Sequence, residues 1–174
     1  MNREQARSLV RGLVASWLIG GALAGCQATL KPARREVGPP TALIGQSVEA
    51  HWSATTIEAA STPTHRSVLD RGRSKTIIGE VVDVSCFLQL GKRGEAHIPC
   101  GQKCVRNGQP VGVLTNDGEL FLIMPEEHHP RRDGQVNLRD RFADLMAKRV
   151  QVSGMLTQYK NYRALFVRTL PTEQ

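Results

Sequence analysis

Apolar and polar positions first fall into a sustained pattern at residue 76. Residues 76–86 form a run rich in Val and Ile, interrupted by Gly79, Glu80 and Asp83, and they predict a long strand. Gly79 marks a bulge or a sharp bend within it. Residues 110–115 and 119–124 predict two further strands, joined by the hairpin signal Asn116-Asp117-Gly118. A polar loop follows over 125–135. Asn137 is placed to cap a helix whose apolar positions Leu138, Phe142, Leu145 and Met146 recur along one face. Alternation returns over 149–156, where Gly154 marks a second bend. Residues 158–163 turn the chain, and 164–170 complete the set. Between the first two strands, Pro99 suits the first position of a short helix and Asn107-Gly108 suits its end.

Three strands, a helix and two strands is an order that resembles the OB-fold, a small Greek-key barrel with its helix between the third and fourth strands. The resemblance covers residues 75–170 and rests on element order and the two bend glycines. It implies a mainly β domain, with an α+β sandwich as the alternative. It also puts the segment between the first two strands at a barrel rim, where such folds bind ligands. Residues 171–174 are a tail.

Upstream of 75 no period is sustained. Pro32, Pro39, Pro40 and Pro63 punctuate residues 26–74, and apolar pieces such as Ala42-Leu43-Ile44 are too isolated to build a core, so the segment reads as a flexible linker. Trp52, His51 and His65 within it are expected to be solvated or locally packed. The first 25 residues are different again. Arg3, Arg7 and Arg11 face a single acid, Glu4, and a short apolar run over 12–25 then ends in small residues. That is the form of a signal peptide, and the run is short for a membrane span. Leu23-Ala24-Gly25-Cys26 resembles the bacterial lipobox, which implies cleavage before Cys26 and acylation of its thiol. Gln27, where an inner-membrane retention signal would have aspartate, favours attachment to the outer membrane, facing the periplasm.

Composition changes this picture only modestly. The chain has 174 residues and a formal charge of +7. Cleavage would leave about 150 residues, one modest domain plus a tether. A basic balance suits an anionic lipid surface as well as nucleic acid, and export to the envelope argues against nucleic acid as a partner. The expected partners are the membrane, through the lipid, and an envelope protein.

The chemistry is concentrated between 86 and 104. Three of the four cysteines, Cys86, Cys100 and Cys104, and one of the five histidines, His97, fall there. Cys100 and Cys104 are four apart, on one helical face. With His97 just before that helix and Cys86 ahead of it, the set supplies one imidazole and three thiols, enough for a tetrahedral Cys3His site. Gly91 and Gly94 would let the intervening loop fold tightly. Thiolate with imidazole suits zinc or cuprous copper. The Cys-x-x-x-Cys spacing resembles the motif of Sco-type copper chaperones, but Val105 stands where those have proline and His97 lies close rather than distant, so only the ligand set is shared.

The competing reading is a stabilising disulfide in a non-catalytic interaction module, since exported proteins oxidise cysteines. Cys100 could pair with Cys104, or Cys86 with either. Assigning Cys26 to lipid leaves an odd number of thiols, which favours the metal. Cys-x-x-Cys and Cys-x-x-Cys-His are absent, which disfavours thiol redox chemistry and covalent haem. A closed four-ligand site argues for structure or storage, so the chain is not expected to be an enzyme. Glu126-Glu127-His128-His129 is read as a solvated loop rather than a second metal site. Tyr159-Lys160-Asn161-Tyr162-Arg163 is read as a turn with packed aromatics or a protein or glycan contact.

Overall fold

In the computed structural model, residues 38–45, 50–126, 138–168 and 172–173 are described. The β-branched run forms strand β2, Arg73–Asp83, and the predicted hairpin forms β3, Val111–Thr115, and β4, Leu120–Pro125. The apolar spacing after Asn137 yields helix α5, Leu138–Asp144. Strands β5, Arg149–Tyr159, and β6, Tyr162–Val167, follow. β2 pairs antiparallel with β3, β3 with β4, and β5 with β6, while β4 and β6 run parallel, Leu122 opposite Ala164. The barrel closes where β2 returns antiparallel onto β5, Ile77 opposite Val152. The result is a five-stranded closed barrel in the expected strand order, mainly β as the element pattern implied.

Both bend glycines sit where two backbones meet. A Cβ on Gly79 would lie 2.3 Å from the Leu114 carbonyl oxygen, and one on Gly154 would lie 2.2 Å from that of Phe166. No side chain fits either approach without moving a strand. Gly154→Ala is expected to destabilise the domain by about 1–3 kcal/mol, the usual cost of overpacking. A lowered urea midpoint at unchanged slope would show this; an unchanged midpoint would refute it.

The barrel interior is filled by alternating residues of its strands, including Val81, Val113, Phe121, Val150, Val152 and Leu165, all buried. The predicted helix positions Leu138, Phe142, Leu145 and Met146 are buried too. Phe142 reaches zero exposure and joins the same core.

Two expectations need correcting. The described part of the segment read as a linker is structured. Strand β1, Ala42–Gly45, runs parallel to β5, and helices α1, Ala54–Ala59, and α2, Pro63–Leu69, follow. Ala42 and Ile44, set aside as too isolated, are fully buried core residues, because β5 supplies the neighbours that the local sequence lacks. Ser53 and Thr62 cap the two helices with their hydroxyls. Trp52 stacks edge-on against Phe166 of β6, ring centroids 5.6 Å apart, and donates its indole N–H to the Leu69 carbonyl. A last short strand, β7, Thr172–Glu173, lies antiparallel to β1. Secondly, the first barrel strand stops at Asp83 rather than running to Cys86. Helix α3, Val84–Leu90, takes over there.

Candidate metal centre

The connection between β2 and β3 consists of α3, a 3-10 turn at Glu95–His97, and helix α4, Ile98–Arg106. Its first half is set by Asp83. One carboxylate oxygen, Oδ1, accepts the amide N–H groups of Ser85 at 2.9 Å and Cys86 at 3.3 Å, satisfying two of the donors that open a helix. That cap ends the strand and puts Cys86 in the first turn of α3. Gly91 closes α3 in the left-handed conformation, φ 65°, which a residue without Cβ adopts freely. The loop is then tied back to the barrel. The Gly94 N–H donates to the Glu80 carboxylate at 2.7 Å, and Arg93 lies 3.8 Å from the same group.

The second half follows the sequence more closely. Pro99 occupies the first turn of α4, and Asn107 with Gly108 ends it. Gly101 and Val105 face inward and Cys100 stays exposed. A Cβ on Gly101 would meet the Met146 thioether at 2.9 Å and the His97 ring at 3.4 Å. The bare glycine thus lets α4 press against both, and holds His97 between helix and barrel.

The geometry brings the four predicted residues into two overlapping groups. The donor atoms of Cys86, His97 and Cys100 all lie within 4.8 Å of one another, and so do those of Asp83, Cys86 and Cys104. Cys86 is common to both. Cys86, Cys100 and Cys104 are free thiols, so the disulfide of the alternative reading is not formed. Cys26 lies outside the described residues.

The electrostatics favour protonated thiols in the absence of a cation. The Asp83 carboxylate beside the Cys86 thiol, reinforced by desolvation, pushes that group up to about 12. Burial and the neighbouring Cys100 raise Cys104 as well. A thiol must become a thiolate to bind a metal, so an ion entering here displaces protons.

Asp83 is the residue that sequence reasoning missed. Its side chain has no exposure, and His97 is 6% exposed. Asp83 Oδ2 and His97 Nε2 lie 3.9 Å apart, and neither has a hydrogen-bond partner. Leaving a buried polar group unpaired costs about 1–3 kcal/mol, and here two stand side by side among thiols. A signal was present: an aspartate breaks the Val-rich run three residues before Cys86, where a helix cap belongs.

The other singled-out residues lie apart from this cluster. Glu126, expected in a solvated loop, is instead buried: it accepts the Ser53 N–H and pairs with Arg168 at 3.3 Å, so it pins the N-terminal segment to the barrel. Residues 127–129, the rest of the motif read as a loop, lie outside the described residues. Tyr159 and Tyr162 are 72% and 71% exposed at the β5–β6 turn, where Lys160 lies over the Tyr159 ring. Their packing inward, one of the expectations, does not occur.

Comparison of the chain with family models, curated proteins and solved structures finds no match to any of them.

Proposed function

We propose that the chain is an envelope lipoprotein whose OB-like barrel binds one transition-metal ion, zinc or cuprous copper, through Cys86, His97, Cys100 and Cys104. The observation that carries this reading is the gathering of two free thiols, Cys86 and Cys100, around a buried imidazole whose Nε2 has no hydrogen-bond partner, with the third thiol, Cys104, in an adjoining group that shares Cys86. Thiolate and imidazole are the donors that hold these ions most firmly. The exposed Cys100 gives an ion a way in from solvent. Four protein ligands fill a tetrahedral ion and leave no open position for a substrate, which supports binding, storage or delivery rather than catalysis. Elemental analysis of the purified chain together with thiol titration tests the reading. One ion per chain, with the thiols shielded until a chelator is added, is the expected result. Substoichiometric metal with one disulfide formed would refute it.

The lipobox at Leu23 to Cys26 supports the anchor, and Gln27 supports the outer membrane as its site. The partners are then the membrane and an envelope protein, with no role for nucleic acid. Cys26→Ala is expected to move the protein to the soluble fraction or to leave it uncleaved. Intact processing with unchanged membrane attachment would count against the anchor. A second reading, a non-catalytic interaction module, draws on the exposed Tyr159 and Tyr162, which offer a partner two rigid aromatic surfaces.

A further inference from the structure

We infer that Asp83 is itself a ligand of the ion, and that its presence makes the site select zinc over cuprous copper. The inference rests on the metal-binding reading above and specifies which ion that site takes and how.

The two oxygens of the Asp83 carboxylate have different surroundings. Oδ1 is spent on the amides of Ser85 and Cys86. Oδ2 is buried, makes no hydrogen bond and faces the equally unpartnered Nε2 of His97 at 3.9 Å. Zinc sits about 2.0–2.2 Å from carboxylate oxygen and about 2.0–2.1 Å from imidazole nitrogen, so two such donors at a tetrahedral angle are roughly 3.4 Å apart. Closing 3.9 Å to that value takes a few tenths of an ångström from each side chain. Cys86 belongs to both donor groups, which places its sulfur beside the carboxylate and beside the imidazole. The Asp83 carboxylate lies 3.9 Å from His97, and its donor oxygen lies within 4.8 Å of the sulfurs of Cys86 and Cys104. Asp83 thus links the two groups, and with His97 and two thiols it supplies four ligands.

This composition is informative about the ion. Two nitrogen or oxygen donors with two thiolates suit zinc, a divalent borderline ion that accepts carboxylate. Cuprous copper carries a single charge and prefers soft sulfur. It gains little from a carboxylate and neutralises less of its charge. An uncompensated buried carboxylate is costly, so the divalent ion gains more from Asp83 than the monovalent one does.

Asp83→Asn separates ligation from folding, because asparagine caps a helix as well as aspartate does and keeps an acceptor for the two amides. In competition with chromophoric chelators, zinc affinity is expected to fall by roughly 10–100-fold or more in this variant, at least the scale seen for supporting residues, with Cu(I) affinity changing less than about threefold. Wild-type protein offered both ions in buffered competition is expected to take zinc. Zinc-edge X-ray absorption of the wild type requires no variant, and is expected to find two sulfur and two light-atom neighbours. Three sulfurs with one light atom, an Asp83→Asn variant that binds zinc like wild type, or a wild type that takes Cu(I) in preference would each overturn the inference and leave the metal-binding reading standing. A wild type that binds neither ion would overturn both.

Discussion

Cys86→Ser is expected to remove metal binding almost entirely, while Cys104→Ser weakens it less. Cys86 is the one sulfur shared by the two donor groups, so its loss leaves neither complete. Loss of Cys104 leaves Cys86, His97 and Cys100 together. Serine keeps the shape and replaces a soft donor with a poor one. The fall in affinity should exceed the roughly 10–100-fold that follows from disturbing residues behind a metal. Thermal unfolding provides an independent readout. An ion that binds only the folded chain at 100 times its Kd adds about 2.7 kcal/mol. Wild type should gain this on metal addition, and Cys86→Ser should not. Equal stabilisation of both proteins would mean the ion sits elsewhere. The raised Cys86 thiol adds a direction with pH. Protons compete with the ion for the sulfur, so apparent affinity should climb as pH rises, and each ion bound should release protons.

Phe142→Ala should cost about 3–5 kcal/mol, the range for emptying a buried aromatic site. Phe142 lies on α5 with no exposure and belongs to the barrel core. Against a typical total of about 5–15 kcal/mol this is a large fraction, and the midpoint of thermal unfolding should drop on the order of 10 °C. The site should feel the change as well. α5 packs against α4, which carries Cys100 and Cys104, and the neighbouring Met146 packs beside Gly101 and His97. Saturating metal should therefore recover part of the lost stability. The control is Leu90→Ala at the exposed end of α3, 63% accessible, where a change within about 0.5 kcal/mol is expected. A Phe142→Ala midpoint within a degree or two of wild type would show that α5 does not seal the core.

Local chemistry was legible wherever the signal lay within a few residues. Asn116-Asp117-Gly118 placed the β3–β4 turn because a tight hairpin needs residues that tolerate unusual dihedrals, and Gly118 has φ 87°. The spacing of Leu138 and Phe142 marked the buried face of α5 because the helical repeat puts them there, and Leu145 and Met146, just past its end, are buried as well. Pro99 opened α4 and Asn107-Gly108 closed it for equally local reasons. By contrast, α3 was hidden. The Val-rich run flows into it without a break in composition, and only the Asp83 cap separates strand from helix. The segment before β2 misled in a different way. α1 and α2 have six and seven residues, too short to show a period, and β1 has no hydrophobic partner until β5 is beside it.

The sequence by itself determined the order of the barrel elements, the two glycines where its backbones come closest and the set of thiol and imidazole donors, because each follows from residue type and short-range spacing. Only the tertiary structure decided that β1 joins the sheet, that Cys86 sits on a helix, and that the buried oxygen of Asp83 faces the nitrogen of His97. Those features depend on contacts between parts of the chain that meet only after the barrel closes and α4 folds against α5. Closing a loop costs entropy that no local pattern records. A donor's partner is therefore read from where the loop comes to rest, and here it comes to rest with an acid beside the imidazole.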